Sequence, residues 1–321
     1  KTTVLCSLLA LTPKWRVRPR IVSFSLDRDT EIIVRAMRGN VYLFERNVPT
    51  GINPLQRPVT KDRIAHWIAL VTQCFAGDSL STMADAPSDR DAIAKAVNTV
   101  ARMDDPMLRS FSTVRQSLPR TGENSLYNRF SRWCRGGENG WVFDMAADRL
   151  GSVQTLQAVS FDYTGVVANP EVKTVIMMEL LDIMDGLIDG TPMIYHVSEA
   201  WKALGDPIFA PFIKNKQKTI RKKNGLGIFD TQEVGDLLAN ENGRTMVEQS
   251  VTKLILPNRD ATEKDYIGGL RLTPREFQMV KEFGIHNPRN FLCKQAFGTV
   301  QCTFDLKGAD DMLTVLSATL E

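Results

Sequence analysis

A short apolar segment that stops at an acid constrains the fold of this chain more than any other stretch. Residues 191–204 read TPMIYHVSEAWKAL. The run from residue 193 to 197 predicts a buried strand that ends at Ser198 and Glu199, and a helix follows from Ala200. Open α/β sheets bind ligands at the carboxyl ends of such strands, and nucleotide hydrolases place there the carboxylates that organise Mg²⁺ and the attacking water. The alternative is a strand that happens to end in a solvated acid.

The first three residues, Lys1, Thr2 and Thr3, favour the nucleotide interpretation. They open into an apolar-periodic run closed by Pro13, which predicts a helix with these residues in its first turn. In the phosphate-binding pattern G-x-x-x-x-G-K-[ST], the lysine and the hydroxyl residue stand at this place on a helix. The glycines of the pattern would then precede residue 1, so we expect the chain to begin inside a P-loop. A solvated Lys-Thr-Thr at a chain end is the alternative.

Composition narrows the class of protein. The 321 residues suffice for a large α/β domain with an insertion, or for two domains. A hydrophobic share of 43% and a charged share of 24% are ordinary for a globular protein. The net charge of +3 is too balanced to favour a nucleic-acid or membrane surface. Five scattered cysteines without a C-x-x-C pair, and three distant histidines, indicate free thiols and disfavour a zinc site.

Strand patterns alternate with helical patterns along most of the chain. Runs rich in β-branched and aromatic residues predict strands at residues 20–26, 40–45, 154–163, 193–197 and 225–229, the last two of them buried. This alternation is typical of an α/β fold with a mostly parallel sheet.

Residues 61–135 differ from this pattern. They contain two amphipathic helical patterns, at residues 61–75 and 89–103, and no convincing strand. We therefore predict three parts. Residues 1–60 form the first part of the core, residues 61–135 form a helical insertion, and residues 136–321 form the remainder of the core.

The remainder carries further local predictions. Residues 133–144 predict a turn followed by a strand, and residues 209–224 predict a helix. Residues 290–306 predict two strands around Gly298, and residues 309–320 predict a closing helix.

Four segments together resemble one family of ATPases. They are SEAWKAL at residues 198–204, FIKNKQKTIRKKNGLGIFDTQ at 212–232, EQSVTKLILPN at 248–258 and FLCKQ at 291–295. They look like the carboxyl-terminal ATPase domain of the large type IV secretion and conjugative-transfer ATPases, the VirB-operon, TrbE and CagE group. The resemblance runs along essentially the whole chain. It implies a RecA-like P-loop NTPase fold, ATP and Mg²⁺ as cofactors, and hydrolysis that powers assembly of, or substrate transfer through, a secretion machine.

The resemblance also implies partners and a location. The protein would form a homo-oligomeric ring, either a hexamer or dimers that build one. It would contact inner-membrane components of the secretion system and other secretion ATPases. Its expected location is the cytoplasm, peripheral at the bacterial inner membrane.

The resemblance further implies a role for each matched residue. Lys1 would contact the β- and γ-phosphates, Thr2 would bind Mg²⁺ through its hydroxyl, and Thr3 would lie near the α-phosphate. Glu199 would polarise the attacking water, against the alternative of an acid that only initiates a helix. Gln232 would sense the γ-phosphate, against the alternative of a buried amide satisfied by backbone groups.

Arg221 would be an arginine finger supplied to the site of a neighbouring subunit, a contribution of about 10³–10⁵ in rate. The basic run that contains it, residues 214–223, is otherwise a solvated helix face. As a nucleic-acid patch, the same run would favour a ring-type DNA-translocating ATPase, although the balanced net charge does not support DNA as a partner.

One residue departs from the family pattern. The family has Asp immediately before the catalytic Glu, whereas this chain has Ser198. A serine hydroxyl can hydrogen-bond to the water shell of Mg²⁺ but brings no charge, so Ser198 would contact the metal through water. The departure leaves open an alternative function, that of a hydrolysis-weakened nucleotide-binding scaffold subunit of the same machine.

Overall fold

The structure is a computed structural model that describes residues 1–76, 87–204, 210–211, 215 and 219–317. It divides into two compact units. We call them the sheet unit, residues 1–41, 157–160 and 188–321, and the helical unit, residues 42–156 and 161–187. The boundaries predicted at residues 60 and 135 both fall within the helical unit, and the three-part division stays a prediction.

A five-stranded sheet gives the chain its α/β fold. The strands are β1 Arg20–Ser25, β2 Asn40–Leu43, β3 Ala158–Asp162, β4 Met193–Val197 and β5 Gly225–Phe229, and they lie in the order β2-β3-β1-β4-β5. Strand β4 pairs in parallel with both β1 and β5, and Val197 lies level with Phe24 on one side and Phe229 on the other. The carboxyl ends of these three strands therefore meet at one edge of the sheet, as the alternating sequence pattern predicts.

Burial differs between the inner strands and the edge strand. Every residue of β4 is buried, which explains its continuous apolar sequence. The strand predicted at residues 225–229 is present as β5 with the predicted bounds, but its predicted burial is wrong, because β5 lies at the sheet edge and its Leu226 is 50% exposed. Gly227 is required on β5, because a Cβ atom there would come within 2.6 Å of the Tyr195 ring.

In chain order, α-helices lie between consecutive strands of this sheet. In chain order the α-helices are α1 Thr2–Ala10, α2 Glu31–Ala36, α3 Lys61–Ala76, α4 Pro87–Ala101, α5 Phe111–Gln116, α6 Leu126–Phe130, α7 Gly140–Phe143, α8 Pro170–Leu187, α9 Ala200–Leu204, α10 Val234–Ala239, α11 Glu241–Gln249, α12 Pro274–His286 and α13 Asp310–Ser317. Short 3₁₀ turns lie at Thr12–Lys14, Pro54–Gln56, Pro106–Leu108, Ser131–Trp133, Val153–Thr155, Thr164–Val166 and Ile220–Lys223, with a π-helical turn at Lys264–Gly269. Within the described residues, no helix is both long and apolar enough to cross a lipid bilayer.

Helix α1 is fixed to the sheet by its apolar face. Leu5, Cys6 and Leu9 are buried in one cluster with Ile21 of β1 and Ile194 of β4. This packing is the reason the apolar run after Lys-Thr-Thr forms a helix, and it holds the first turn of α1 at the edge where β1, β4 and β5 end.

A second, antiparallel sheet belongs to the sheet unit. Its strands are β6 Lys253–Ile255, β7 Asn290–Gln295 and β8 Gly298–Thr303, in that order. The predicted strand pair around Gly298 is confirmed. Helix α12, which precedes β7, was not among the predictions. Its start nevertheless carries a sequence signal, a capping box of Thr273 and Glu276 with Pro274 at the first helical position.

The predicted strand at residues 133–144 is wrong. Trp133 ends a 3₁₀ turn, and the apolar residues that follow form the short helix α7 in the helical unit. An apolar run this short does not distinguish a strand from a buried helix. Gly140 fixes the local path, because a Cβ atom there would lie 2.2 Å from the carbonyl oxygen of Cys134.

Two predicted helices reach beyond the described residues. The helix at 209–224 includes Lys214, Lys216 and Lys218, which lie outside them, and its described end is the 3₁₀ turn Ile220–Lys223. The closing helix is described as α13, and residues 318–320 lie outside the described part.

Candidate active site at the strand ends

Three charged side chains meet where α1 begins and where β4 and β5 end. Lys1 is the residue before the first turn of α1. Its Nζ donates to Oε1 of Glu199 over 2.5 Å and to Oδ1 of Asp230 over 2.9 Å. Glu199 is the second residue after β4, and Asp230 follows β5 directly. Two of the predicted site residues, Lys1 and Glu199, are thus in contact across 198 positions of sequence.

Glu199 occupies a sharp turn between β4 and α9. Its backbone φ is +46°, a left-handed conformation that is uncommon for a residue with a side chain. Its Oε2 accepts hydrogen bonds from the Trp201 indole Nε1 over 3.1 Å and from the backbone N–H of Gln232 over 3.2 Å. Both carboxylate oxygens of Glu199 are therefore oriented, and the residue itself is only 7% exposed.

Asp230 is the central acceptor of the site. Its Oδ1 also accepts the backbone N–H of Glu199 over 3.1 Å, and its Oδ2 bonds to Nε2 of His196 over 2.9 Å. Burial alone would raise the pKa of Asp230, but the hydrogen bond and charge of His196, together with the charge of Lys1, lower it to about 2. For Lys1, burial opposes the charged form, yet Asp230 and Glu199 outweigh it and hold the pKa above its usual range. The pair is therefore ionised near neutral pH.

Ser198 hydrogen-bonds to a second carboxylate, that of Asp29, at the same edge of the sheet. Its Oγ donates to Oδ2 of Asp29 over 2.6 Å, while Oγ of Ser25, the last residue of β1, donates to Oδ1 over 2.7 Å. Burial raises the pKa of Asp29, although His196 and the two hydroxyl donors act in the opposite direction. The strand ends of β1 and β4 are thus linked through Asp29.

A cavity of about 980 Å³ opens beside the first turn of α1. Lys1 and Thr3 form part of its wall, and other parts are formed by Asn258 after β6, Phe291 of β7 and Phe304 after β8. Thr2, between Lys1 and Thr3, is the first residue of α1. The cavity therefore starts at the place where the sequence predicts phosphate contacts.

The remaining predicted residues are differently placed. The side chain of Gln232 is exposed, which excludes the alternative of a buried amide, and its backbone N–H supports Glu199. Arg221 is exposed in the 3₁₀ turn before β5. Because β4 and β5 are parallel, the amino end of β5 lies at the sheet edge opposite to Glu199. Arg221 is therefore not brought to the site of its own chain.

Three groups of the site were missed as site residues: Asp29, His196 and Asp230. Each offers one ligand atom, and these atoms lie within 4.8 Å of one another. Both ring nitrogens of His196 are engaged, since Nδ1 bonds to Ser23 over 2.9 Å. The signal that predicted Glu199, an acid at the carboxyl end of a strand, also marks Asp230.

The donor set suits Mg²⁺ better than a softer metal. Mg²⁺ prefers oxygen ligands and keeps several waters, whereas imidazole suits zinc and other transition metals. The Thr2 hydroxyl, the Ser198 hydroxyl and the Asp29 carboxylate are oxygen donors on elements that end or begin at this edge. The residues present therefore fit a magnesium ion.

Comparison with known proteins identifies the family. Residues 154–297 match the model of the TraG P-loop domain. The chain is 36% identical to the type IV secretion system protein PtlC of Bordetella pertussis over 330 residues, which cover 99% of this chain and 39% of that protein. It is 33% identical to VirB4 of Bartonella henselae over 324 residues, 99% of this chain and 40% of that protein. The chain belongs to the VirB4-type family of type IV secretion proteins.

Solved structures confirm the fold of this VirB4-type chain. VirB4 of Thermoanaerobacter pseudethanolicus superposes with a TM-score of 0.67 at 18% identity, over 95% of this chain and 86% of that one. The unbound bacterial conjugative coupling protein TrwB, in its ΔN70 form, gives 0.57 at 10% identity, over 95% and 82%. The predicted α/β fold of a RecA-like P-loop protein is thus confirmed. The chain spans about two-fifths of the length of the curated relatives, 39–40%.

Proposed function

We propose that this VirB4-type domain binds ATP with Mg²⁺ at the carboxyl edge of β1, β4 and β5 and hydrolyses it to drive a type IV secretion machine. The observation that carries the proposal is the placement of the Lys1 ammonium between the carboxylates of Glu199 and Asp230. A lysine at a helix start that faces an acid at a strand end is the arrangement that P-loop hydrolases use for phosphoryl transfer.

The residues of the first turn of α1 would bind the phosphates. A helix amino terminus favours anions, because its first backbone N–H groups lack partners within the helix. Lys1 would contact the β- and γ-phosphates, and Thr3 would lie near the α-phosphate. The cavity of about 980 Å³ beside Thr3 is large enough for the nucleoside part of ATP.

Thr2 and Ser198 are the residues that would hold Mg²⁺, Thr2 directly through its hydroxyl and Ser198 through water. When bound, the ion would supply positive charge that neutralises the negative charge developing during transfer.

Glu199 would act as the general base that polarises the attacking water. Its Oε1 contacts Lys1, while Oε2 is held by Trp201 and by the backbone of Gln232. Lys1 has three donors and would turn them toward the phosphates, which would leave Oε1 of Glu199 free to accept a proton from water. The exposed amide of Gln232 would sense the γ-phosphate from the same edge.

The proposal predicts separate defects in binding and in hydrolysis. In the intact protein, Lys1→Ala is expected to abolish both ATP binding and hydrolysis, since it removes the cation that contacts two phosphates. Lys14→Ala, which changes an exposed lysine shortly after α1, is the matched control. Binding can be followed with a fluorescent ATP analogue, and hydrolysis by phosphate release. Unchanged ATP binding by Lys1→Ala would count against this site.

Arg221 would complete the site of a neighbouring subunit in a homo-oligomeric ring. Its exposed position, at the sheet edge opposite to Glu199 in the same chain, supports a contribution in trans. Arg221→Ala and Glu199→Gln subunits are each expected to be inactive alone and to regain part of the activity when mixed. The exposed neighbour Lys222, changed to Ala, serves as the control. Inactive mixed oligomers would exclude the trans role.

The partners and location remain part of the proposal. The names of the relatives are those of type IV secretion system proteins. We propose that the domain acts at the bacterial inner membrane with membrane components and other ATPases of such a system. A DNA-translocating role stays a prediction from the basic run, since its three first lysines lie outside the described residues.

A further inference from the structure

The strand end that carries Ser198 lacks the carboxylate that P-loop hydrolases use there. In such enzymes the P-loop hydroxyl residue and an Asp on a neighbouring strand hold Mg²⁺. Ser198 is buried and its side chain is uncharged. A carboxylate nevertheless lies directly beside it, because the Ser198 hydroxyl donates to Asp29 over 2.6 Å.

We propose that Asp29 supplies this charge from the segment after β1 and, together with Ser198, orients the water shell of the Mg²⁺ that accompanies ATP. The proposal rests on the proposed function and adds a positioning residue for the same metal.

The carboxylate of Asp29 is held in one orientation. Ser25 donates to Oδ1 over 2.7 Å and Ser198 to Oδ2 over 2.6 Å, so that one hydroxyl fixes each oxygen. A carboxylate has about four lone-pair sites, and two hydroxyl donors therefore leave others available for metal-bound water. Because Ser25 ends β1 and Ser198 follows β4, the carboxylate is positioned by two neighbouring strands rather than by a loop alone.

Asp29 also lies close to the start of α1. The thiol of Cys6 donates to the backbone oxygen of Asp29 over 3.6 Å. Cys6 is four residues after Thr2, one turn along the same face of the helix, which corresponds to about 6 Å along the axis. The backbone of Asp29 thus contacts α1 one helical turn beyond Thr2, the residue whose hydroxyl is expected to bind the metal.

The charge of Asp29 needs a partner. Asp29 is 9% exposed, and within the described part of the chain no lysine or arginine forms an ion pair with it. The nearby His196 directs its Nε2 to Asp230 instead. Buried charges are costly unless they are paired or coordinate a metal, and two serine hydroxyls compensate only part of that cost. A hydrated divalent cation would supply the missing positive charge.

Mn²⁺ binding tests the role of Asp29 without relying on turnover. Electron paramagnetic resonance measures Mn²⁺ affinity of the intact protein in the presence of a non-hydrolysable ATP analogue. Asp29→Asn is expected to weaken Mn²⁺ binding about 10–100-fold, the usual effect of losing an outer-shell group. Binding of the analogue in EDTA should not change. Asp27→Asn is the matched control, since Asp27 is exposed in the same segment and its φ of +55° suits asparagine.

A charge transfer between the two positions provides the second variant. Combining Asp29→Asn with Ser198→Asp moves the carboxylate across the hydrogen bond and should restore Mn²⁺ affinity. Ser198→Asp alone places two carboxylates in contact, so one of them is expected to take up a proton and no gain should follow.

Each outcome decides the proposal. Wild-type Mn²⁺ affinity in Asp29→Asn, or a double variant as weak as the single one, overturns the role of Asp29. Absence of nucleotide-dependent Mn²⁺ binding in the wild type would instead refute the proposed function, and with it any metal for Asp29 to serve. Loss in Asp29→Asn with recovery in the double variant supports the proposal.

Discussion

Replacing Asp230 with asparagine should cost a large share of the stability of the sheet unit. Asp230 accepts hydrogen bonds from Lys1, His196 and the backbone of Glu199, at 2.9, 2.9 and 3.1 Å. The lowered pKa of Asp230, from 3.8 to about 2, corresponds to about 2 kcal/mol of stabilisation of its charged form. The side chain of Asp230 is only 12% exposed, so solvent screens this electrostatic stabilisation only weakly. Hydrogen bonds to charged groups are worth about 1.5–3 kcal/mol each, and Lys1 keeps Glu199 as a partner. We expect a loss of about 2–4 kcal/mol at pH 7.

Urea unfolding at a series of pH values measures this loss. Because the pKa of folded Asp230 lies below its unfolded value of 3.8, its stabilisation is present above that value and disappears as the pH falls toward 2. The difference between wild type and Asp230→Asn should therefore be constant from about pH 5 to 8 and shrink below about pH 4.

Asp305→Asn is the matched control for Asp230→Asn. Asp305 pairs with Arg289 on the surface, where their side chains are 53% and 71% exposed, and its replacement should change stability by less than about 1 kcal/mol. The electrostatic interpretation of the site is wrong if Asp230→Asn lowers the free energy of unfolding by no more than this control does. It is also wrong if the loss caused by Asp230→Asn stays unchanged down to about pH 3, below the ordinary pKa of Asp.

Three further predictions concern the helical unit and the site. Glu179 is fully buried and accepts hydrogen bonds from Arg57 and His66, so Glu179→Gln should lower the free energy of unfolding by about 3–5 kcal/mol in urea titrations. Burial opposes the charge of His66, but Glu179 outweighs burial and raises the pKa of His66 above 6.5. The stabilisation that charged His66 contributes is therefore present below pH 6.5 and is lost as the pH rises through the folded pKa. His66→Gln should remove this decline of stability with pH. Trp201→Phe removes the indole donor to Glu199 and should lower kcat about 10-fold in steady-state assays while KM is unchanged.

Much of the sheet could be predicted from local sequence. The strand at 193–197 has its predicted bounds, because a continuous apolar run between turn residues allows few alternatives once it is buried. The edge position of β5 could not be predicted in this way. An edge strand and a central strand of a sheet differ in whether a second strand lies beside them. The apolar residues of GLGIF are compatible with either position, so the sequence does not distinguish them.

The site could be predicted only in part. Glu199 and Lys1 were found through the strand end and the helix start. Asp29 contacts a residue 169 positions away, and its role depends on the register between β1 and β4. When only the sequence is known and the strand register is not, Asp29 is one acid among several charged residues in a turn. Asp230 carries the same local signal as Glu199, but its partners are Lys1 before α1 and two residues on or just after β4, all distant from it in sequence.

Hydrolysis by the Glu199→Gln variant tests the central claim most directly. The change keeps the size of the side chain and removes the base, while Lys1, Thr2 and Thr3 remain. Single-turnover measurements on the intact protein, with ATP binding followed in parallel, separate the two steps. We expect ATP to bind as in the wild type and hydrolysis to be abolished. Hydrolysis at the wild-type rate in Glu199→Gln would contradict the assignment of the active site to this strand end.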